Sequence, residues 1–260
     1  MTHATVLRTA GTNCDRETVL ALEAAGARVD TVHLGRLIED PSRLERSALL
    51  VLPGGFSYGD DVAAGRVLGH ELRHFLAEAL GAFVARGGFV LGICNGFQVL
   101  VDTGLLEGSP ESARRRTVAL TGNASARFEC RWVTLRSEAC ACPWLVAGEL
   151  WPMPVAHAEG RLLTADHAAL EGLRERGQIA LRYATPDGEI AADWPDCPNG
   201  SLESIAGLCD PSGRVLGLMP HPERNVTPWH HPNWTRLADR TEGEGLEFYR
   251  RLVEVAAHGT

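Results

Sequence analysis

The chain has 260 residues, of which 45% are hydrophobic and 22% charged, and carries a formal net charge of −8. That is the balance of a globular protein with a sizeable core, and its acidity argues against nucleic acid or an anionic membrane as the main partner. Seven cysteines without a tight framework point to a reducing compartment, and no apolar run approaches the length of a bilayer span. Met1-Thr2-His3-Ala4 opens no signal peptide, so a cytoplasmic location is expected.

In chain order, 5–8 reads as a short strand and 10–15 as a loop, with Asp15 placed to cap a helix over 17–25 that Gly26 ends. Residues 28–34 alternate as a second strand. Residues 47–52 form a fully apolar third strand that stops at Pro53-Gly54-Gly55. Helical spacing over 67–86 ends at Gly87-Gly88, and the apolar run 89–93 is too short for a helix and suits a strand buried on both faces. Cys94 follows at once, and Phe97, Val99 and Leu100 begin another helix. This alternation predicts a doubly wound α/β sheet, in which ligands sit beyond the carboxyl ends of the strands. The Gly54-Gly55 loop and Cys94 therefore belong on one rim.

The second half is less regular. Strands are expected over 128–135, over 155–163 with a break at Gly160, and over 178–183. Residues 204–209 and 215–219 flank Asp210-Pro211-Ser212-Gly213, a hairpin signal, and Met219 runs into Pro220-His221-Pro222-Glu223-Arg224. A loop rich in Pro, Trp and His occupies 227–234, and 245–257 closes the chain as an amphipathic helix. No repeat, low-complexity tract or linker divides the chain, so 1–260 reads as a single domain.

The chemistry centres on Cys94. Gly92 and Gly96 flank it on a turn from strand to helix, the nucleophile-elbow pattern with sulfur in place of oxygen. The helix N-terminus favours the attacking thiolate. A thiol nucleophile needs a base and a group to orient it. His221 follows an apolar strand, and Glu223, two residues on, points to the same side of an extended segment that two prolines keep from becoming helix. His157, with Glu159 two residues on, is a rival base that local spacing does not separate from His221. Backbone N–H groups for an oxyanion are available from Gly54-Gly55-Phe56 and from Asn95. Cys140-Ala141-Cys142 lacks a second ligand pair at zinc spacing and reads as a loop, so no metal site is expected. Arg114-Arg115-Arg116 reads as a solvated run, and no phosphate-binding glycine loop follows a strand.

Gly92-Ile93-Cys94-Asn95-Gly96-Phe97-Gln98 with His221-Pro222-Glu223 resembles the Cys-His-Glu triad segments of class I glutamine amidotransferases. Further segments resemble the glutaminase subunits of phosphoribosylformylglycinamidine synthase within that class. These are Asn13-Cys14-Asp15, the run from Pro53 to Asp60, the run from Pro154 to Gly160, Pro198-Asn199-Gly200-Ser201 with Ile205-Ala206-Gly207, and Met219 to Arg224. The resemblance runs in order over nearly the whole chain. It implies a flavodoxin-like three-layer α/β/α sandwich with Cys94 as nucleophile, His221 as base and Glu223 as its orienter, which leaves His157 beside the site. It also implies oxyanion donors at Gly55 and Asn95, with Gln98 and the backbone of Gly54, Gly55 and Phe56 helping to hold glutamine. No cofactor is implied in this chain. ATP and Mg are implied at a partner synthetase (large) subunit that receives ammonia to make formylglycinamidine ribonucleotide in purine biosynthesis, with a small third subunit bridging. The chain departs from the family pattern at Thr9-Ala10-Gly11-Thr12 and in a longer loop over 227–240. The competing readings are a stand-alone cysteine hydrolase of related fold, such as a γ-glutamyl peptidase or a DJ-1/PfpI-like protein, and a non-catalytic module that keeps only the fold.

Overall fold

The computed structural model describes residues 1–108, 116–237 and 240–259. Arg114 and Arg115 of the arginine run, and 238–239 of the long loop, lie outside the described residues. The strands are β1 His3–Arg8, β2 Arg28–His33, β3 Leu49–Leu52, β4 Phe89–Ile93, β5 Val118–Gly122, β6 Glu129–Ser137, β7 Leu150–His157, β8 Glu159–Thr164, β9 Ile179–Ala184, β10 Ile205–Cys209 and β11 Val215–Leu218. The helices are α1 Asp15–Ala24, α2 Leu34–Glu39, α3 Arg66–Phe75, α4 Ala77–Ala85, α5 Asn95–Thr103, α6 His167–Glu175 and α7 Glu244–His258.

The apolar runs become the middle of the sheet. Every residue of β3, β4 and β11 is buried, as strands covered on both faces must be. The main sheet has nine strands in the order β2-β1-β3-β4-β11-β10-β9-β6-β7. The neighbours from β2 to β11 run parallel, and those from β11 to β7 are antiparallel. Helices pack against it as a three-layer α/β/α sandwich, with α1 against α7 and α3 against α5. The 210–213 turn closes the β10–β11 hairpin, with Gly207 opposite Leu218.

Four local expectations change. The residue capping α1 is Cys14, with no side-chain capping bond, and Asp15 is the first helical residue, 3.6 Å from the Arg8 guanidinium. The helix read over 67–86 is two helices. Leu76, at φ −127°, breaks it while Leu68, Leu72, Leu76, Leu80 and Phe83 all stay buried. The strand read over 155–163 divides at Ala158, because its halves serve different sheets: β7 pairs with β6, while β8 pairs with β5 in a separate two-stranded ribbon. Gly160 lies inside β8, where a Cβ would stand 2.5 Å from the His157 ring, so this glycine makes room for the imidazole. Three elements, β5, α2 and α6, lie outside the expected set. Each is a short, partly exposed element with too few apolar positions to establish a period.

Candidate active site

Strand register gathers the site. Leu52 of β3 and Gly217 of β11 both stand opposite Gly92 of β4, and Leu218 stands opposite Ile93. Three neighbouring parallel strands therefore end on one rim. Each hands its chain to one candidate segment: Pro53-Gly54-Gly55, Cys94, and Met219-Pro220-His221.

Cys94 adopts φ 51° and ψ −105°, a conformation that costs a non-glycine residue about 1–3 kcal/mol and persists only where its surroundings enforce it. Here they do. The Cys94 N–H donates to the Leu218 carbonyl at 2.8 Å, and its own carbonyl accepts from the N–H groups of Phe97 and Gln98 at 3.0 and 3.2 Å. The flanking glycines let helix and sheet close together. A Cβ on Gly96 would lie 1.9 Å from the Leu52 carbonyl oxygen, and one on Gly92 would lie 2.6 Å from that of Gly96. The thiol thus sits at the N-terminus of α5, and its Sγ is 3.8 Å from the Ala156 carbonyl oxygen.

His221 is held by its backbone N–H, which donates to the Pro154 carbonyl at 2.9 Å, and Pro222 opens a single 3-10 turn over Pro222–Arg224. That turn brings the Glu223 carboxylate back to the ring, with Nδ1 and Oε1 2.5 Å apart and both side chains buried. A carboxylate accepts, so Nδ1 carries the proton, and Nε2 is buried without a partner among the described residues. Burial disfavours an imidazolium. The charge of Glu223 and contacts with the Cys94 and Cys14 thiols outweigh it and raise His221 well above its ordinary value.

A narrow cleft of about 50 Å³ opens beside Cys94, lined by Gly55, Phe56, Asp60, Gln98, His157 and Glu159 among others. At that volume it admits a few waters and no more. Of the glycine-loop backbone, the Phe56 N–H is taken by the Gly11 carbonyl at 3.0 Å. Gly55 has φ +136°, and a Cβ on Gly54 would stand 2.8 Å from Cε1 of His221, so the loop touches the imidazole. Gln98 lines the cleft, but its amide is engaged within the chain: Oε1 accepts from Asn95 Nδ2 at 3.2 Å, and Nε2 donates to the Glu159 carbonyl. The Asn95 side chain also donates to Asp60 at 2.9 Å and accepts from the Ser57 N–H at 3.2 Å.

His157 also lines the cleft and meets no carboxylate among the described residues; its partner is Asn123 at 3.1 Å. The Asn123 Nδ2 donates to the carbonyls of Arg127 and His157, which fixes its Oδ1 toward the ring. His157 Nδ1 is therefore the donor, and Nε2 is a buried acceptor without a partner. Burial, with the charge of His221 adding to it, lowers His157 to about 4, so the ring is neutral.

Sequence reasoning passed over three residues that the fold brings here. Cys14 lies in contact with His221, accepts from Arg224 Nη2 at 3.1 Å, and is raised by burial against the lowering effect of that imidazole. Asp60 and Asn123 anchor Asn95 and His157. Asp60 and Cys14 stand in segments that carry the family resemblance, which offered a signal for both without giving either a role; Asn123 gave none, because its partner His157 is remote in sequence. The ligand atoms of Cys14, His221 and Glu223 lie within 4.8 Å of one another, but the Nδ1 of His221 is committed to the carboxylate, which suits proton transfer better than metal ligation. The assembled groups supply a thiol on a helix N-terminus, a charged imidazole and unfilled acceptors, the parts of a covalent acyl-transfer site.

Comparison with known proteins finds similarity over nearly the whole chain. Residues 1–255 match the model of a CobB/CobQ-like glutamine amidotransferase domain. The phosphoribosylformylglycinamidine synthase subunit PurQ of Dehalococcoides mccartyi is 42% identical over 252 residues, covering 96% of each chain. That of Picrophilus torridus is 39% identical over 249 residues, again with 96% of each covered. Among solved structures, a chain in the PurLQS structure from Thermotoga maritima superimposes with a TM-score of 0.71 at 33% identity, over 97% of this chain and 98% of that one.

Proposed function

The chain belongs to the family of CobB/CobQ-like glutamine amidotransferase domains, and from that premise we propose that it is the glutaminase subunit of a phosphoribosylformylglycinamidine synthase. The observation that carries the mechanism is the buried His221–Glu223 pair, on the strand end beside the strained Cys94 elbow. In this reading the Cys94 thiolate, paired with the His221 imidazolium, attacks the side-chain amide carbon of glutamine. The N–H groups of Gly55 and Asn95 receive the developing oxyanion. His221 Nε2 passes its proton to the leaving ammonia, and a γ-glutamyl thioester remains on Cys94. Water, deprotonated by the same nitrogen, then releases glutamate. Glu223 keeps the proton on Nδ1 and stabilises the imidazolium. Phe56 and Gln98 line the cleft and help hold glutamine, Gln98 kept in place by Asn95 and Glu159, and Gly54 supports the loop against His221.

The ammonia goes to a synthetase subunit that uses ATP and Mg to make formylglycinamidine ribonucleotide, with a small third subunit bridging, in the cytoplasm. The identity of 42% across 96% of each chain with a PurQ subunit supports this over a stand-alone cysteine hydrolase or an inert module. No helix among the described residues is long and apolar enough to cross a membrane. Because the cleft beside Cys94 holds only a few waters, the isolated chain should be a slow glutaminase until its partners open it. Equal rates alone and in the complex would refute that coupling.

The test is Cys94→Ala, assayed in the reconstituted complex. Product formed with glutamine should disappear while product formed with added ammonia persists, since only the nucleophile is gone. Retained use of glutamine would overturn the mechanism.

A further inference from the structure

On the opposite rim of the sheet, away from Cys94, the fold builds a second thiol cluster. Cys209 ends β10, which runs antiparallel to β11, so its carboxyl end lies opposite the rim that carries His221. The loop after β6 brings Cys140 and Cys142 to it, and the three sulfurs all lie within 4.8 Å of one another. The sequence had supplied only the Cys140-Ala141-Cys142 pair; the third donor comes from a distant hairpin.

The cluster is rigidly framed. The Ala141 N–H donates to the Gly177 carbonyl at 2.9 Å, and Glu138 N–H to the Ala180 carbonyl at 3.0 Å, which fixes the loop to the start of β9. Cys209 is held to the same turn, with its N–H on the Gln178 carbonyl at 2.8 Å and its Sγ 3.4 Å from the Gly177 carbonyl oxygen. The Gln178 side chain bonds the Cys209 carbonyl at 2.9 Å. Gly213 closes the frame, since a Cβ there would lie 2.0 Å from the Ala141 carbonyl oxygen. Cys142 and Cys209 are buried and Cys140 is half-buried, and all three are free thiols.

We propose that Cys140, Cys142 and Cys209 form a binding site for one thiophilic closed-shell metal ion, of which zinc is the type. Zinc takes thiolates at about 2.3 Å in tetrahedral array, which places neighbouring sulfurs about 3.8 Å apart. Sulfurs already gathered within 4.8 Å need only a small contraction. Soft sulfur donors select zinc or a similar ion over magnesium or calcium. The half-buried side of Cys140 leaves the fourth position to water. Each thiol gives up its proton as its sulfur–metal bond forms, and no oxidant or reductant is required. The ion would clamp the loop after β6 to the β9–β10 ladder and stiffen the rim remote from catalysis.

The experiment uses the full chain, reduced and stripped with a chelator, and titrated with zinc and, as an optical probe, with cadmium. One equivalent should bind, with a thiolate-to-metal charge-transfer band, release of protons and a rise in Tm. Cys140→Ser, whose side chain is only half-buried, should keep the fold and weaken binding by about tenfold or more, with Cys209→Ser doing the same. Cys94→Ala should bind as the parent chain does. Unchanged binding in Cys140→Ser, loss of binding in Cys94→Ala, no binding, or isolation of two of the three cysteines as a disulfide would each overturn the proposal.

Discussion

The Nδ1 of His221 and the Oε1 of Glu223 are 2.5 Å apart in surroundings that exclude water from both, and this contact leads those that set the ionic state of the site. Burial disfavours the imidazolium, and the carboxylate is the foremost of the groups that oppose it. With the carboxylate, His221 is held charged opposite a thiol.

Glu223→Gln keeps the shape and removes the charge. His221 should then fall, because the burial that disfavours its cation is opposed only by the Cys94 and Cys14 thiols. The glutaminase kcat/KM is expected to drop about 10²–10⁴-fold. The basic limb of its pH profile, where the imidazolium is lost, should move to lower pH. A profile that keeps its basic limb would remove Glu223 from this role.

Two thiols lie beside His221, and they differ in what else holds them. Cys14 accepts from Arg224 at 3.1 Å at the start of α1, whereas Cys94 sits on the strained elbow facing the cleft. A glutamine-like electrophile should therefore label Cys14→Ala with one equivalent and leave Cys94→Ala unlabelled, as read by intact mass. The reverse pattern would assign the nucleophile to Cys14.

His157 titrates about 4 in the fold against an ordinary 6.5, so the unfolded chain binds its proton first. This group makes the protein lose stability as pH falls from 6.5 toward 4, by up to about 3 kcal/mol. His221, raised in the fold, is protonated in both states below 6.5 and adds no slope in that window. His157→Gln should flatten the fall, measured as the urea midpoint at pH 7 and pH 4.5. An equally steep fall in the variant would refute the assignment.

Two glycine-to-alanine changes should have opposite signs. At Gly96 the new methyl meets the Leu52 backbone at 1.9 Å, and neither element can yield without displacing Cys94. A loss of about 1–3 kcal/mol is expected, together with loss of glutaminase activity. At Gly81, inside α4, nothing lies within 4 Å, so alanine should stabilise by about 0.4–1 kcal/mol through reduced chain entropy. Thermal unfolding of both variants separates the cases, and a Gly96→Ala protein as stable as its parent would contradict the packing described.

By itself the sequence determined the parts whose signals are local. The buried runs of β3, β4 and β11 are apolar throughout, the glycines on either side of Cys94 mark an elbow, and the prolines around His221 exclude helix. Glu223 is two residues from its partner, so the sequence offered the pairing, but on an extended segment; the fold makes it instead by a 3-10 turn over Pro222–Arg224. Tertiary structure decided whatever depends on residues distant in the chain. Spacing could not choose between His221 and His157, each followed by a glutamate two residues on; the fold did, by giving one a carboxylate and the other the Asn123 carbonyl oxygen. It set Cys14 against the imidazole, committed the Gln98 amide to Asn95 and Glu159, and carried Cys209 to Cys140 and Cys142. Periodicity reports which face of an element is buried, but strand register alone decides which two buried side chains meet.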